Sequence, residues 1–566
     1  MGLPIFPKDI FSIPSLKSLS LSDNQIKVIP KEIGMLTALF QLRLNGNQLS
    51  SLPSEMGNLT NLQTLWVQNN KFVDVPSEIQ TLTGLTALSI SGNKFSYLPS
   101  FFCDMTSLKD LHLWLSFNQL KKLPQAIGQL AGLIRLNVEN NQISSLPPQI
   151  GQLTTLRELW ANDNAITQIP PVIGLLVELR EVRLSNNSLS NLPNEVCQLG
   201  ELKQLRISNN QIRALPNNFH LLTSLTELSL SGNPITALPV NIGIFTELKN
   251  LDLESNQLKT LPAAIGQLTK LQTLHLQSNN LHDLPNSIRK LKNLEELCLH
   301  DNQLESLPSG LWTLNNLKTI SLENNQLRRI PPEIAGMAYL SRLQVAYNQL
   351  TSLPTNIGLL PALSRLNLEG NQLSLLSPAI GMLTLLEALK VDFNMIQILP
   401  PEIGNLRNLE DLSICNNQVK TLPPELFKLT KLRRLAISNN SLNSISGEIS
   451  LLTGLQSLVT TGNRIRILPP SLGLLTNLTE LYLHDNSLTH FPEEVGTMYS
   501  LKTITLNNNK LKEISAGFMR VTSLTSMQLA DNKIQIVPTW MWKVSKLSSL
   551  NLDGNPLSSP PERILE

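Results

Sequence analysis

Asparagine recurs along this 566-residue chain at a nearly constant spacing of 23 residues. It stands at positions 24, 47, 70 and 93, then at 118, 141, 164 and 187, and the series continues to 532 and 555. Two residues after each of them comes Leu, Ile, Phe or Val. A fixed period of this length is the signature of a stacked repeat protein, in which each repeat packs only on its neighbours. One short element is therefore repeated, and functional specificity must lie in the positions that vary.

Each repeat begins with the pattern Leu-x-x-Leu-x-Leu-x-x-Asn, as from Leu39 to Asn47. This spacing predicts a strand with its fourth and sixth positions on one face and its third, fifth and seventh positions on the other. A proline at position fifteen and a following Ile-Gly-x-Leu, as in Ile33 to Leu36, predict a return through a short helical or 3-10 segment. The strand side is narrower than the helical side, so we expect a curved α/β solenoid with a parallel sheet on its concave face and the helical segments on its convex face.

The periodic asparagines are predicted to be structural. A side-chain amide both donates and accepts hydrogen bonds, so stacked copies can satisfy the backbone groups that are left where each strand turns. We expect this role for Asn47, Asn70, Asn93, Asn141, Asn164 and Asn187.

Repeat phase also predicts the domain organisation. Residues 1–15 match the second half of a repeat, and residues 16–566 form one continuous array of about 24 repeats, the last of them incomplete. Solenoid ends normally carry polar caps, which neither end resembles. We therefore expect the chain to be a segment of a longer protein.

Composition limits the location and the class of partner. A formal net charge of +2 gives no general attraction to nucleic acid, and neither a signal peptide nor an apolar membrane span is recognisable. The four cysteines stand in four different repeats, at Cys103, Cys197, Cys298 and Cys415. This spacing is unlike the cysteine caps of secreted repeat proteins, so a reducing, cytoplasmic location is expected without membrane insertion.

No phosphate-binding loop, nucleophile elbow or metal motif occurs in the sequence. The closest approach to a reactive cluster is Asp252, His275 and Cys298, each at the fifth position of its repeat. These are zinc-ligand types or a Cys–His pair, but an ordinary polar stripe on a solvated sheet explains them as well. We expect a non-enzymatic protein without a cofactor or metal.

Bulky side chains at the fifth position favour a protein interface on the strand face. Trp66 and Trp160 stand there in the third and seventh repeats, and Arg183 and Arg206 follow in the eighth and ninth. Tryptophan and arginine are enriched in binding hot spots, and exposed apolar bulk on a repeat surface usually marks an interface.

The fifth repeat adds two more candidates. Counted from Leu108, its fifth position holds His112. The array has a single two-residue insertion, and it falls in this repeat, where either Trp114 with Leu115 or Ser116 with Phe117 is the extra pair. Either pair would add apolar bulk at the rim. The predicted partner-binding residues are Trp66, His112, Trp114, Trp160, Arg183 and Arg206.

Charged residues form bands further along the chain. The later repeats are first acidic and then basic, with Arg342, Arg365, Lys390, Arg433 and Arg434 interspersed with Glu369 and Asp392. Such bands could steer a partner of matching charge or simply keep a long sheet soluble.

The convex pattern Leu-Pro-x-x-Ile-Gly-x-Leu-x-x-Leu resembles the intracellular Ras-group class of leucine-rich repeat proteins, which includes SHOC-2-like scaffolds. The resemblance covers essentially the whole chain. It implies a horseshoe-shaped, non-enzymatic scaffold in signal transduction, with a small GTPase, a phosphatase or a kinase component as its partner. Roco GTPases and repeat-bearing kinases carry similar arrays, so the alternative is the ligand-sensing segment of a larger multidomain enzyme.

Overall fold

A computed structural model describes residues 2–74, 77–82, 84–104 and 111–558. They belong to two compact units, Met1–Asn280 and Leu281–Glu566. Both units repeat the same pair of elements, a short strand followed by a 3-10 helix.

In the described residues of Met1–Asn280, twelve strands form a parallel sheet in which each strand pairs with the next along the chain. They are β1 (Ser18–Ser20), β2 (Gln41–Arg43), β3 (Thr64–Trp66), β4 (Ala87–Ser89), β5 (Leu111–Trp114), β6 (Leu133–Asn137), β7 (Glu158–Trp160), β8 (Glu181–Arg183), β9 (Gln204–Arg206), β10 (Glu227–Ser229), β11 (Asn250–Asp252) and β12 (Thr273–His275).

The described part of Leu281–Glu566 contains twelve further strands with the same parallel pairing. They are β13 (Glu296–Cys298), β14 (Thr319–Ser321), β15 (Arg342–Gln344), β16 (Arg365–Asn367), β17 (Ala388–Lys390), β18 (Asp411–Ser413), β19 (Arg434–Ala436), β20 (Ser457–Val459), β21 (Glu480–Tyr482), β22 (Thr503–Thr505), β23 (Ser526–Gln528) and β24 (Ser549–Asn551).

The 3-10 helices alternate with the strands. In the first unit they span Lys8–Ser12, Lys31–Met35, Ser54–Asn58, Ser77–Thr81, Ser100–Asp104, Gln125–Gln129, Pro148–Gln152, Pro171–Leu175, Asn194–Gln198, Phe219–Leu221, Ile242–Ile244 and Ala263–Gln267. In the second they span Asn286–Lys290, Ser309–Thr313, Pro332–Gly336, Thr355–Leu359, Pro378–Met382, Pro401–Asn405, Pro424–Lys428, Gly447–Leu451, Pro470–Leu474, Glu493–Thr497, Ala516–Arg520 and Thr539–Lys543.

The residue before most 3-10 helices is a proline, whose ring fixes φ where the chain turns. Serine replaces it at Ser377, Ser446 and Ser515. Each serine Oγ accepts a hydrogen bond from the backbone N–H two residues later. Proline and serine thus start the same turn by different means, the first through ring geometry and the second through a side-chain cap.

The apolar positions of the repeat point away from the strand face and form the core. Leu42 and Leu44 of the second repeat are fully buried, as are Leu49 beyond the strand and Ile33 in the preceding 3-10 helix. The third, fifth and seventh positions lie on the opposite side, which we call the strand face. The predicted solenoid with a parallel sheet on one side and 3-10 segments on the other is confirmed.

Asparagine at the ninth position joins the backbones of two successive repeats through three hydrogen bonds. Nδ2 of Asn47 donates to the carbonyls of Leu21 and Leu44 at 2.9 and 3.0 Å, and its Oδ1 accepts from Ile26 N at 3.0 Å. The same three bonds occur at Asn70, Asn93, Asn141, Asn164 and Asn187. These buried or half-buried amides satisfy backbone groups that the sheet leaves unpaired.

Candidate protein-binding surface

The strand register assigns Trp114 to the fifth position of its repeat. Trp114 lies opposite Ser89 of β4. Oδ1 of Asn118 accepts a hydrogen bond from the backbone N–H of Phe95, which identifies Asn118 as the ninth residue of its repeat. Counting back from Asn118 places Leu115 at the buried sixth position. The prediction that the insertion consists of Trp114–Leu115 or Ser116–Phe117 is therefore wrong, because these four residues fill ordinary repeat positions and the extra residues precede Leu113.

The same register corrects the place of His112. It lies at the third position, opposite Arg135 of β6, and not at the fifth as predicted. The forward count failed because the extra residues precede Leu113. The side chain of His112 is outside the part of the chain that the structure describes.

Trp114 and Trp160 meet on the strand face. Their ring centroids are 5.7 Å apart at an interplanar angle of 74°, an edge-to-face contact. The guanidinium of Arg135 lies 5.5 Å from the centroid of Trp114 and 4.7 Å from that of Trp160. Arg183 covers Trp160 from the next strand at 4.1 Å. These four residues form the tryptophan–arginine cluster.

Carboxylates hold the two arginines of this cluster in place. Arg135 is bonded to Glu158 through both Nε and Nη2, the second contact at 2.7 Å. Nε of Arg183 donates to Glu181 Oε1 at 2.5 Å. The side chains of both arginines retain about a quarter of their accessibility, at 23% and 26%. Both guanidiniums therefore carry a fixed orientation and still face solvent.

Trp66 and Arg206 flank the cluster without joining it. Trp66 of β3 is covered by Arg43 of β2, whose guanidinium lies 4.2 Å from the ring centroid. Ser89 on β4 separates Trp66 from Trp114 in register. Two strand spacings of about 4.8 Å put the two indole positions about 10 Å apart, with a small residue between them.

Arg206 forms a two-point ion pair with a carboxylate two positions back on the next strand. Its Nε and Nη2 donate to Glu227 Oε1 and Oε2 at 2.6 and 3.0 Å. These bonds raise the pKa of Arg206 above the ordinary arginine value. Arg206 is also the register partner of Arg183, so it extends the cationic side of the cluster by one strand.

A half-buried carboxylate and a buried indole N–H lie beside the cluster. Burial raises the pKa of Glu139 above the ordinary glutamate value, while the nearby Arg183 charge and the Asn162 amide, whose Nδ2 donates at 2.6 Å, oppose that shift. Nε1 of Trp160 is buried and has no hydrogen-bond partner among the described residues. A buried unsatisfied donor costs about 1–3 kcal/mol.

A second signal at this surface comes from backbone strain. The eighth position of every repeat in the described residues has a positive φ, and it holds Asn, Asp, Ser or Gly except at Phe117, Tyr347 and Phe393. Phe117 follows β5, has φ of 55° and is 61% exposed. A bulky residue in this region is a genuine outlier, and such strain concentrates at functional sites.

The residues proposed as a reactive cluster show no activated thiol. Asp252 and His275 are register partners in the first unit. In the second unit, burial and the neighbouring Glu296 charge raise the pKa of Cys298 to about 12. A nucleophilic cysteine needs the thiolate, so this environment disfavours a nucleophilic role at neutral pH.

No helix in the part of the chain that the structure describes is long and apolar enough to cross a membrane.

Comparisons with known proteins agree with this architecture. The leucine-rich repeat region model matches residues 5–112, 225–309 and 342–444, which is more than half of the chain. A second leucine rich repeat model matches 177–235, 292–350, 476–534 and 500–557. Neither model describes a catalytic family. No curated protein matched the chain.

Solved structures extend the likeness to named proteins. The plant peptide hormone receptor RGFR1, in complex with RGF2, is 28% identical with a TM-score of 0.72, and the match covers 98% of this chain and 88% of the receptor. The Leptospira interrogans leucine-rich repeat protein LIC12759 is 32% identical over 75% of this chain and 96% of its own, with a TM-score of 0.56.

The Arabidopsis receptor kinase HAESA ectodomain, in complex with an N-terminally extended IDA peptide hormone, is 26% identical with a TM-score of 0.62. The match covers 98% of this chain and 89% of the ectodomain. Matches to family models over more than half of its length, and to solved repeat proteins over most of it, show that the chain belongs to the leucine-rich repeat family.

Proposed function

We propose that this protein is a non-enzymatic interaction scaffold that binds a protein partner on the strand face of Met1–Asn280. The observation that carries the proposal is the tryptophan–arginine cluster, in which two indoles and two guanidiniums contact one another on the strand face. Trp66, Arg206 and His112 lie on the strands around it and extend the proposed surface.

The physical case rests on preorganisation. Ordering a long arginine side chain on binding normally costs about 0.5–1.5 kcal/mol. Arg135 and Arg183 are already held by Glu158 and Glu181, so a partner meets them in a fixed geometry. Indole rings add large, rigid contact area with a low entropy cost.

The class of partner and the location are part of the same proposal. The Leu-Pro-x-x-Ile-Gly-x-Leu-x-x-Leu pattern supports the SHOC-2-like Ras-group class, and with it a cytoplasmic role beside a small GTPase, a phosphatase or a kinase component.

A second candidate is a ligand-sensing segment of a larger multidomain enzyme such as a Roco GTPase or a kinase. Similarity to the HAESA receptor kinase ectodomain with its peptide hormone favours it, as does similarity to the RGFR1 peptide complex. In that case the ligand on the strand face is an extended peptide and not a folded domain.

A comparative capture experiment tests the leading proposal. Wild-type protein, the double variant Trp114→Ala/Trp160→Ala and the control Trp542→Ala are used as bait, and bound proteins are quantified by mass spectrometry. Trp542 is 70% exposed in the other unit and controls for loss of an exposed tryptophan. Partners that the control retains and the double variant loses support the proposal. Identical partner profiles for all three baits would overturn it.

A further inference from the structure

Two arginines lie directly opposite each other on neighbouring strands of Leu281–Glu566. Arg342 begins β15 and Arg365 begins β16, and the register makes them partners. Both are exposed. Within the described residues, neither has a carboxylate oxygen within the 4.0 Å of an ion pair. Like charges facing each other across a strand pair are destabilising, so this arrangement costs folding free energy that a bound anion would offset.

Two of the nearby carboxylates, those of Glu369 and Asp392, accept hydrogen bonds from other groups. Glu369 accepts the hydroxyl hydrogen bond of Tyr347 at 2.5 Å, and Asp392 accepts from Cys415 N at 2.5 Å. Lys390, which ends β17, is exposed and forms no ion pair in the described part of the chain. In the first unit, by contrast, Glu158 and Glu181 bind the two arginines of the tryptophan–arginine cluster.

A depression of about 380 Å³ opens beside this pair of arginines. Its basic side is formed by Arg365 and Lys390, and the remaining lining comes from Gln344, Leu366, Asn367, Glu387, Ala388, Glu410 and Asp411. Ala388 is the register partner of both Arg365 and Asp411, so a small side chain separates the basic side from the acidic one. The depression is polar and open, as suits a charged chain segment.

Aromatic residues border the same strands at their other end. Tyr347 and Phe393 occupy left-handed turn positions with φ of 51° and 53°, and they are 48% and 53% exposed. Gly370 stands at the turn between them, and a Cβ there would lie 2.4 Å from Cδ1 of Tyr347. The tyrosine ring therefore lies against a turn that only glycine permits. Tyr347 lies in the same repeat as Arg342, and Phe393 lies in the same repeat as Lys390.

We propose that this arginine–aromatic surface, formed by Arg342, Arg365, Lys390, Tyr347 and Phe393, binds an acidic segment of a partner protein. Carboxylates of the segment bridge the paired guanidiniums, which present planar donors suited to two-point bonds. An apolar side chain of the segment packs on the two aromatic rings. Along one repeat, the third position, where the arginines stand, is at most about 17 Å from the eighth, where the aromatic residues stand. About five residues of an extended segment span this distance.

Charge distribution favours a peptide over nucleic acid. Glu387, Glu410 and Asp411 line the same depression and would repel a continuous phosphate backbone. A peptide can place carboxylates at the arginines and neutral or basic groups beside these acids. This inference concerns a different unit from the proposed function and does not depend on it.

Fluorescence anisotropy with defined probes tests the inference on the full chain. The probe is the labelled peptide Glu-Glu-Asp-Ser-Gly-Leu-Phe-Leu. The comparison probes are its amide counterpart Gln-Gln-Asn-Ser-Gly-Leu-Phe-Leu and an oligothymidylate of equal length. The test variant is Arg342→Gln/Arg365→Gln. The matched control is Arg328→Gln/Arg329→Gln, which removes two exposed, adjacent arginines that lie off the strand face.

The acidic peptide is expected to bind the wild type and the control alike, and the test variant at least about tenfold more weakly. Thermal stability of the test variant is expected to equal or exceed that of the wild type, because a like-charge contact is removed. Phe393→Asn is expected to raise thermal stability and lower the affinity for the acidic peptide. The proposal is overturned if the acidic peptide binds more weakly than about 1 mM, if the amide peptide binds equally well, if the test variant binds like the wild type, or if the oligonucleotide binds more tightly.

Discussion

The guanidinium of Arg183 lies 4.1 Å from the centroid of the Trp160 indole, and the two residues are register partners on β8 and β7. Arg183 is fixed a second time by Glu181 on its own strand. A guanidinium held by both a ring and a carboxylate has little freedom left to lose. Each contact should therefore be measurable in the free protein, before any partner is present.

Replacing Arg183 with lysine is expected to lower stability although the charge is kept. Lysine has neither the flat surface that stacks on Trp160 nor the Nε donor that reaches Glu181. A double-mutant cycle with Trp160→Leu should give a coupling energy of about 0.5–1 kcal/mol in chemical unfolding. Arg157→Lys serves as the control, since Arg157 forms only an exposed 3.7 Å pair with Glu178. A coupling energy of zero would contradict the stacking contact.

The ninth-position asparagine should matter far more to stability than the polar residue two places earlier. Asn47→Ala removes bonds to Leu21, Leu44 and Ile26 and leaves buried backbone groups unpaired. We expect a loss of about 2–4 kcal/mol, with faster amide hydrogen exchange in the flanking repeats. Asn45→Ala, on the strand face, should cost less than about 1 kcal/mol. Equal effects would argue against the asparagine ladder.

Phe117→Asn should stabilise the protein while lowering its affinity for the partner. Asparagine tolerates the left-handed φ of 55° that strains phenylalanine, and little burial is lost because Phe117 is 61% exposed. The expected gain is about 1 kcal/mol in unfolding free energy. Phe117→Ala keeps the strain and removes the ring, so it should lower the affinity for the partner without raising the unfolding free energy. A less stable Phe117→Asn variant would show that the ring packs on its own repeat.

Glu139 gives a pH-dependent test. Its folded-state pKa is raised by burial, so its ionised form is disfavoured in the folded protein. The resulting penalty is present above the raised pKa and disappears as pH falls below the ordinary glutamate value of 4.5. Glu139→Gln should therefore raise the unfolding temperature at about pH 7 and have less effect at acid pH. A variant that is less stable at neutral pH would show that the Arg183 attraction outweighs burial.

Most of the fold could be predicted from the sequence because about two dozen repeats carry the same residue pattern. The Leu-x-x-Leu-x-Leu spacing gives the strand, and the proline marks where the 3-10 segment begins. Even the exceptions follow the rule, since Ser446 caps its helix with Oγ where proline would fix φ. The paired register of neighbouring strands then follows from the period alone.

The candidate site was harder to predict, because its contacts join side chains at different positions of the repeat. Counting forward from Leu108 missed the insertion and put His112 where Trp114 stands. Counting backward from Asn118 would have given the right register. Arg135 was overlooked because it lies at the third position, yet it contacts both Trp114 and Trp160.

Strain was the other missed signal. Phe117, Tyr347 and Phe393 stand where other repeats have Asn, Asp, Ser or Gly. The substitution pattern could have indicated a left-handed turn occupied by an unsuitable residue. The pattern could not predict how exposed these aromatic side chains are, because exposure depends on how neighbouring turns pack.

The most direct test of the account measures affinity for a purified partner from the capture experiment. Calorimetric titration would compare the wild type, Trp114→Ala/Trp160→Ala and Trp542→Ala, with unfolding temperatures recorded for each. We expect the affinity of the double variant alone to fall by at least about a hundredfold, near 2.7 kcal/mol. Equal affinity for the folded double variant and the wild type would contradict the assignment of the binding surface.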